Sequence, residues 1–259
     1  PGDGSLVTTL LRSFKKFPAF NSIKKIFLLE KSMFLRKIQK KKISDKDVKW
    51  INSLNEIKKG PVIFFGNEFF DAVPIKQFSK NGKSLMEKCY LINSKGFHET
   101  FRIASRKDIK NISSYKSLNG SKFIEYPKLG LSELDKIVKK ISILNGGILL
   151  IDYGHLNQLN KNTLQAVKNN KKMNMKNLLK HLGKADITSL VNFSLLREYF
   201  EKKKLNVKKV VSQKFFLERM GIVERAKILE KKMTNKQKKD TSETLKRLLN
   251  KECMGELFK

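Results

Sequence analysis

Two hydrophobic patterns alternate along the first 155 residues. Helical spacing of apolar residues predicts an opening helix (Leu6, Leu10, Leu11, Phe14) and a later helix that Ser132 caps (Leu134, Ile137, Val138, Ile141). Short apolar runs predict strands at 24–29, 48–51, 62–65 and 148–151. We also expect a basic helix at 33–43. The run at 62–65 is unbroken, so we expect a strand buried on both faces, with Phe64 and Phe65 in the core. The alternation predicts an α/β fold with a parallel sheet.

Two later segments break this alternation. Residues 75–127 carry turn signals at Lys80-Asn81-Gly82 and at 93–96 between strand-like runs, which predicts a β-rich insertion. Residues 155–190 are polar and lack periodicity, so we expect a loop or lid. The rest predicts a mostly helical C-terminal part, with a helix around 195–200, a strand at 207–211 and a last helix capped by Asp240 with Glu243.

Composition narrows the function classes. The 259 residues carry a formal charge of +32, which favours nucleic acid or an anionic membrane as a partner. However, the chain has 48 Lys against 8 Arg, spread along its length, whereas surfaces that recognise phosphate or guanine favour the bidentate Arg. We therefore favour solvated lysine faces over a nucleic-acid surface. No apolar run approaches the about 20 residues that span a bilayer.

Cysteines and histidines give no sign of a metal site. Cys89 and Cys253 are far apart and form no CxxC pair, which favours a reducing compartment. His98, His155 and His181 show no ligand spacing. We expect no metal.

A glycine turn at the start of the chain indicates a nucleoside-bearing cofactor. Gly2 and Gly4 precede the opening helix, and Glu30 ends the next strand, where a carboxylate accepts hydrogen bonds from ribose hydroxyls. Val7 stands where a dinucleotide fold needs a third glycine, and no phosphate loop is present, so the turn suits S-adenosylmethionine. The strand expected before the turn is absent. We therefore expect a fragment of a longer protein that by itself binds this cofactor weakly or not at all.

The segment 67–74 is the most distinctive in the chain. Glu68 and Asp71 are three residues apart, so a helical turn would point both carboxylates the same way, and Asn67 lies at the preceding strand end. Either the pair holds a cationic group of a substrate, or Asp71 caps the turn and Glu68 is a solvated charge. The residues alone favour neither alternative over the other.

The same segment, Asn67-Glu68-Phe69-Phe70-Asp71-Ala72-Val73-Pro74, resembles the signature of the MidA-like S-adenosylmethionine-dependent methyltransferases. That family includes a mitochondrial protein arginine methyltransferase that assists assembly of respiratory complex I. Further similar motifs extend over essentially the whole chain, at 1–6, 146–154, 163–167, 183–188, 212–213, 220–226 and 254–259. Asn192 and Lys184 depart from the family pattern, which more often has Asp and Glu there.

The resemblance implies a Rossmann-like class I methyltransferase domain at 1–74 and 128–259, with its first strand missing and the β-rich insertion at 75–127. It implies transfer of a methyl group from S-adenosyl-L-methionine to a protein nitrogen, with arginine as the expected acceptor. Glu68 and Asp71 would then hold the guanidinium as catalytic residues.

The resemblance also assigns the remaining site residues. Gly2, Gly4, Glu30 and Asn67 would contact the cofactor. Asp152 and Tyr153 would shape the acceptor side, although an Asp at a strand end often only caps the following turn. Gln165, Asp186 and Thr188 match family motifs without an evident mechanism.

The implied partner is a protein, with a respiratory-complex subunit as one candidate. The implied location is a bacterial cytoplasm or a mitochondrial matrix. Two alternatives stay open: methylation of RNA, which the basic charge favours, and a non-catalytic assembly factor that uses the fold for docking.

Overall fold

The structure, a computed structural model, describes residues 2–20, 22–23, 25–93, 96–168, 171–173, 183 and 185–259. Its helices are α1 (Ser5–Phe14), α2 (Met33–Lys42), α3 (Arg106–Ser113), α4 (Lys128–Leu144), α5 (Phe193–Lys202), α6 (Gln213–Arg219), α7 (Ile222–Glu230) and α8 (Asn235–Leu249). Its strands are β1 (Ile26–Leu29), β2 (Val48–Ile51), β3 (Val62–Asn67), β4 (Lys76–Asn81), β5 (Ser84–Asn93), β6 (Gly96–Ile103), β7 (Phe123–Tyr126), β8 (Gly146–Ile151), β9 (Gly154–His155), β10 (Gln165–Lys168), β11 (Lys171–Met173), β12 (Asp186–Thr188) and β13 (Val191–Asn192).

The chain forms two compact units. Unit 1 consists of Pro1–Phe64 and Asp135–Gly147, and unit 2 consists of Phe65–Leu134 and Ile148–Lys259. In the described part of the chain, none of the helices combines the length and the apolar composition that a bilayer crossing requires.

Unit 1 is built around the parallel pair β1–β2. Ile26 pairs with Val48 and Leu29 with Ile51, so the edge strand predicted at 48–51 is confirmed. The core of this unit includes a cluster of the buried residues Leu28, Ile43 and Val48, with Val7, Leu11, Ile26 and Trp50 packed against them. The apolar repeat of α1 supplies Val7 and Leu11 to this core, which is why the predicted opening helix forms.

Unit 2 contains a four-stranded antiparallel sheet in the order β6-β5-β4-β7. The turn predicted at Lys80-Asn81-Gly82 is confirmed: Asn81 pairs with Ser84, and Gly82 has a φ of 56°. Asn93 pairs with Gly96 as expected for the second hairpin, whereas residues 94 and 95 of its turn lie outside the described residues. The β-rich content of 75–127 is thus confirmed, with α3 added; its status as an insertion stays a prediction.

Strand β3 pairs with β8, but its burial differs from the prediction. Its residues alternate between half-buried and exposed, and Ile63 is 79% exposed and Phe65 44%. The expectation of a strand buried on both faces, with Phe65 in the core, is therefore wrong for the described residues. An apolar run shows which residues tolerate burial, but side chains on a strand alternate between two faces and only one is covered here.

The segment 155–190 contains strands where a loop was expected. β10 pairs antiparallel with both β11 and β12, and Ala166 of the central strand is fully buried. These strands have three or four residues each, which is too short for a periodic pattern to stand out. Residues 169–170, 174–182 and 184 of the expected lid lie outside the described residues.

Three further boundaries differ from the sequence prediction. Helix α4 begins directly after Pro127, whose carbonyl accepts the Leu131 N–H, and not at Ser132. The extended segment at 207–211 has no pairing partner among the described residues, so it forms no strand.

The N-cap of helix α8, Thr234, lies six residues before Asp240, the predicted cap. Thr234 caps it with Gln237: the Thr234 N–H donates to the Gln237 side chain (3.0 Å), and the Gln237 N–H donates to the Thr234 hydroxyl (3.4 Å). Both boxes fit the same pattern, and the earlier one gives the longer helix. The mostly helical C-terminal part is confirmed by α5 to α8.

Candidate active site

The glycine turn in unit 1 has the backbone geometry that its sequence predicts. Gly2 and Gly4 both have positive φ angles, of 55° and 88°, and Gly4 is the N-cap of α1. A Cβ on Gly4 would lie 3.2 Å from the Ile43 Cδ1. Glycine is therefore required at position 4 both for the left-handed backbone and for close packing against α2.

Polar side chains fix this turn against the start of α1. The Asp3 carboxylate accepts hydrogen bonds from the Ser5 N–H (2.9 Å) and the Ser5 hydroxyl (2.7 Å). Lys42 contacts the same carboxylate at 2.7 Å. The hydrogen bond from Lys42 holds the pKa of Asp3 well below its usual range, and the bonds from Ser5 add to this effect. The turn is thereby tied to α2 on its exposed side.

Glu30, directly after β1, is held next to the turn by a residue that the sequence analysis missed. Its Oε1 accepts from the Ser32 N–H (2.7 Å), and its Oε2 accepts from Gln39 Nε2 (3.1 Å). The same Gln39 nitrogen donates to the Gly2 carbonyl (2.7 Å). The structure thus brings Gly2, Gly4 and Glu30 together around Gln39. One sequence signal could have found it: Gln39 lies one helical turn before Ile43, on the apolar face of a basic helix.

In unit 2, Asp152 lies at the end of β8 and organises the turn at 70–71. Its side chain is 2% exposed and accepts from the N–H groups of Phe70 (2.8 Å), Asp71 (3.2 Å) and Tyr153 (2.9 Å). The pKa of Asp152 is raised to about 6, chiefly by burial and in part by the neighbouring Asp71 charge, against the lowering effect of these hydrogen bonds. Asp152 thus caps the backbone of the following turn, as an Asp at a strand end often does. One of the N–H groups that it caps belongs to Asp71.

Asp71 has one satisfied and one unsatisfied carboxylate oxygen. The residue is 5% exposed, and its Oδ2 accepts a hydrogen bond from the Tyr153 hydroxyl. Its Oδ1 is buried and has no hydrogen-bond partner among the described residues. Burial raises the pKa of Tyr153, and the bond to Asp71 adds to the rise, so Tyr153 keeps its proton and remains a donor. A buried carboxylate oxygen without a partner is costly and marks a candidate site.

Asn67 and Glu68 lie outside this buried cluster. Both are exposed, and Glu68 has a φ of 47° while its N–H donates to the Ile151 carbonyl (2.9 Å). The segment 67–74 forms no helix, so the expected helical turn that would align Glu68 with Asp71 is absent. The N–H groups of Phe70 and Asp71 donate instead to the Asp152 carboxylate, more than 80 residues later in the chain. The roles of Asn67 and Glu68 stay predictions.

Comparison with known proteins identifies the family to which the chain belongs. Residues 1–211 match the family model described as "Putative S-adenosyl-L-methionine-dependent methyltransferase". The chain belongs to this family. That match confirms the resemblance and the S-adenosyl-L-methionine cofactor, both expected from the motifs.

Relatives and solved structures agree with the family. The chain is 31% identical over 193 residues to "Protein arginine methyltransferase NDUFAF7 homolog, mitochondrial" of Caenorhabditis elegans, which covers 71% of this chain and 43% of the relative. It is 24% identical to the Danio rerio and 25% identical to the Homo sapiens "Protein arginine methyltransferase NDUFAF7, mitochondrial", covering 100% of this chain and 66% and 63% of theirs.

A crystal structure of a protein from Burkholderia thailandensis bound to S-adenosyl-homocysteine has a TM-score of 0.80 and 20% identity, covering 99% of this chain and 67% of that one. A native structure from the same organism has the same TM-score, with 21% identity and coverage of 99% and 70%. The Rossmann-like methyltransferase fold is thereby confirmed. The chain spans at most about two thirds of the length of the curated relatives that it matches.

Proposed function

We propose that this protein is an S-adenosyl-L-methionine-dependent methyltransferase that methylates an arginine nitrogen of a protein. The observation that carries the proposal is the buried Asp71, whose Oδ1 has no partner among the described residues while Tyr153 occupies Oδ2. The family supports the donor, and the names of the relatives support the acceptor.

The residues around the glycine turn fit a nucleoside-bearing donor. The positive φ angles of Gly2 and Gly4 let a ligand approach the backbone closely, and the half-buried Glu30 carboxylate offers acceptor oxygens for ribose hydroxyls. Gly2, Gly4 and Glu30 would hold the donor, and we assign Asn67 to its methionine or adenosine end. When bound, S-adenosyl-L-methionine supplies a methyl group that its positively charged sulfur activates.

The chemical difficulty lies with the acceptor. Guanidinium is a poor nucleophile, because its pKa exceeds about 12 and its lone pairs are delocalised. A carboxylate that accepts its N–H hydrogen bonds orients the group and draws the positive charge away from the attacking nitrogen. Asp71 Oδ1 is the oxygen left for this role, since Oδ2 is engaged by Tyr153, and because Oδ1 is buried the side chains around it must open for a guanidinium to reach it.

The same carboxylate is suited to the proton that must leave. When the guanidinium nitrogen bonds to the methyl carbon, the carbon–sulfur bond of the donor would break with its electron pair going to sulfur. The nitrogen would lose one proton, which a carboxylate already hydrogen-bonded to the group can accept. Asp152 holds the backbone at Asp71, and the high pKa of Tyr153 keeps its hydroxyl protonated as a donor throughout. We assign Glu68 as a second, exposed carboxylate that binds the incoming arginine.

The basic charge supports a second candidate, RNA as the acceptor. A formal charge of +32 attracts phosphates, and RNA methylation would fall steeply with added salt. A third candidate is docking without catalysis.

For a protein acceptor, we propose a respiratory-complex subunit, and for location a mitochondrial matrix or a bacterial cytoplasm.

One labelling experiment separates these candidates. The full-length protein is incubated with methyl-labelled S-adenosyl-L-methionine and a lysate from cells that lack it, and the products are digested with protease or with ribonuclease. The proposal predicts label that protease releases and ribonuclease does not. Label released by ribonuclease would establish the RNA candidate, and the absence of label in both fractions would contradict both methylation candidates and favour docking.

A further inference from the structure

Gln39 is the most completely buried polar residue beside the predicted donor site. Its exposure is 0%, although it lies on a helix whose last turn is Lys40-Lys41-Lys42. Its amide nitrogen donates to the Gly2 carbonyl (2.7 Å) and to the Glu30 Oε2 (3.1 Å). One side chain therefore connects the glycine turn with the carboxylate after β1.

Trp50 fixes which way the Gln39 amide points. The indole N–H donates to Gln39 Oε1 at 2.9 Å. An indole nitrogen is a donor only, so the amide oxygen must face Trp50 and the amide nitrogen must face Gly2 and Glu30. Trp50 itself packs against the core cluster of unit 1, which Leu28, Ile43 and Val48 form. The orientation of the amide thus follows from the hydrophobic core.

The hydrogen bonds to Glu30 leave part of its carboxylate free. An ionised carboxylate has about four acceptor positions. The Ser32 N–H takes one on Oε1, at 2.7 Å, and Gln39 takes one on Oε2. Each oxygen therefore keeps one acceptor position, and a ribose offers two neighbouring hydroxyls as donors.

We propose that Gln39 is a positioning residue for recognition of the ribose. It fixes the Glu30 carboxylate relative to the glycine turn, so that the two free acceptor positions meet the 2′- and 3′-hydroxyls of a bound nucleoside. This inference rests on the proposed function, because it takes the donor to bind at this turn. Gln39 does not touch the ligand; it acts through Glu30.

The test compares two ligands and uses the full-length protein. Calorimetry gives the Kd of S-adenosyl-homocysteine and of its 2′-deoxy analogue for the wild type and for Gln39→Met, which keeps the volume but removes the amide. A site built to hydrogen-bond a hydroxyl rejects an analogue that lacks it, so the wild type should prefer the ribose form by at least about tenfold. In Gln39→Met this preference should fall to about twofold or less, while the Kd of the deoxy analogue changes little.

Further variants keep the test decisive if Gln39→Met does not fold. Trp50→Phe keeps a ring in the core but frees the amide to turn, and should reduce the ribose preference to an intermediate value. Gln237→Met, on the exposed cap of α8, is the matched control and should leave the preference unchanged.

Three results would overturn the inference. Equal weakening of both ligands in Gln39→Met would show a purely structural role. A wild type that binds S-adenosyl-homocysteine without a ribose preference would remove the role of Glu30 but leave the proposed function standing. A wild type that binds neither ligand would overturn both.

Discussion

The Tyr153 hydroxyl donates a hydrogen bond to Asp71, 82 residues away in the chain, and leaves the other oxygen of this buried carboxylate unsatisfied. The two residues follow β8 and β3, which pair with each other. Asp152 reinforces the arrangement by accepting from the N–H groups of both residues. In unit 2, Asp71 Oδ1 therefore lacks a hydrogen-bond donor among the described residues.

Asp71→Asn should abolish most of the methyl transfer without unfolding the protein. The amide is nearly isosteric and its oxygen can still accept from Tyr153, but it can neither offset the guanidinium charge nor accept the leaving proton. We expect kcat to fall by about 100- to 10,000-fold. The measurement is single-turnover methyl transfer, with the thermal midpoint as a check on folding. Asp240→Asn, an exposed residue on α8, is the matched control. Activity of Asp71→Asn within twofold of wild type would remove Asp71 from the mechanism.

Tyr153→Phe should reduce both stability and activity. The Phe ring preserves the aromatic contact with Phe258, whose centroid lies 5.5 Å away, but leaves Asp71 without its side-chain donor. A buried acceptor left unsatisfied costs about 1–3 kcal/mol, which urea unfolding measures.

Tyr199→Phe removes another hydroxyl of unit 2, one that donates to the Leu131 carbonyl (3.3 Å), and should lower stability alone. If both Tyr variants lost activity to the same degree, the Tyr153 hydroxyl would have no specific role.

Asp152 should give stability an unusual dependence on pH. Its pKa is about 6 in the folded protein, above the about 3.9 of an unfolded chain, so the folded state holds the proton more tightly. Its contribution is therefore most favourable at low pH and is lost as pH rises from about 4 to about 6.

Relative to Asp152→Asn, the wild type should lose about 2 kcal/mol of unfolding free energy between about pH 4.5 and 7. The salt-bridged Asp108 does not interfere, because its lowered pKa, about 2, places its opposite effect below this window. Parallel stability curves for the wild type and Asp152→Asn would contradict the assignment.

Glu68→Gln should weaken acceptor binding with little effect on the fold. Glu68 is exposed, so we expect its substitution to change the unfolding free energy by less than about 0.5 kcal/mol. If Glu68 binds the incoming arginine, KM for the acceptor should rise about tenfold or more, since hydrogen bonds to charged groups are worth about 1.5–3 kcal/mol. Steady-state kinetics gives KM and kcat separately. Glu218→Gln, also exposed, is the control, and an unchanged KM in Glu68→Gln would return Glu68 to a solvated surface charge.

The sequence predicted best what depends on local pattern. The glycine turn, Glu30 after β1 and Asp152 after β8 all follow from motifs whose backbone requirements are visible in the residues themselves. The family resemblance covered the whole chain for the same reason, since its motifs mark turns and strand ends.

Long-range contacts were beyond such reasoning. Glu68 and Asp71 are expected from the sequence to act as a pair at helical spacing, but this segment forms no helix, and its Phe70 and Asp71 N–H groups donate to Asp152, more than 80 residues later. The sequence does not reveal Gln39, because its role depends on hydrogen bonds with Gly2 and Trp50, which only folding brings close to it. The exposed Phe65 shows the same limit, since a sequence cannot tell how many faces of a strand will be covered.

Identifying the amino acid that carries the label decides whether the acceptor is an arginine in a protein. The full-length wild-type protein, methyl-labelled S-adenosyl-L-methionine and a lysate from cells lacking this protein are incubated together, and the protein fraction is hydrolysed and separated by chromatography. The account predicts that the label elutes with methylated arginine and disappears when Asp71→Asn replaces the wild type. Label in another amino acid, or label in arginine that persists with Asp71→Asn, would contradict it.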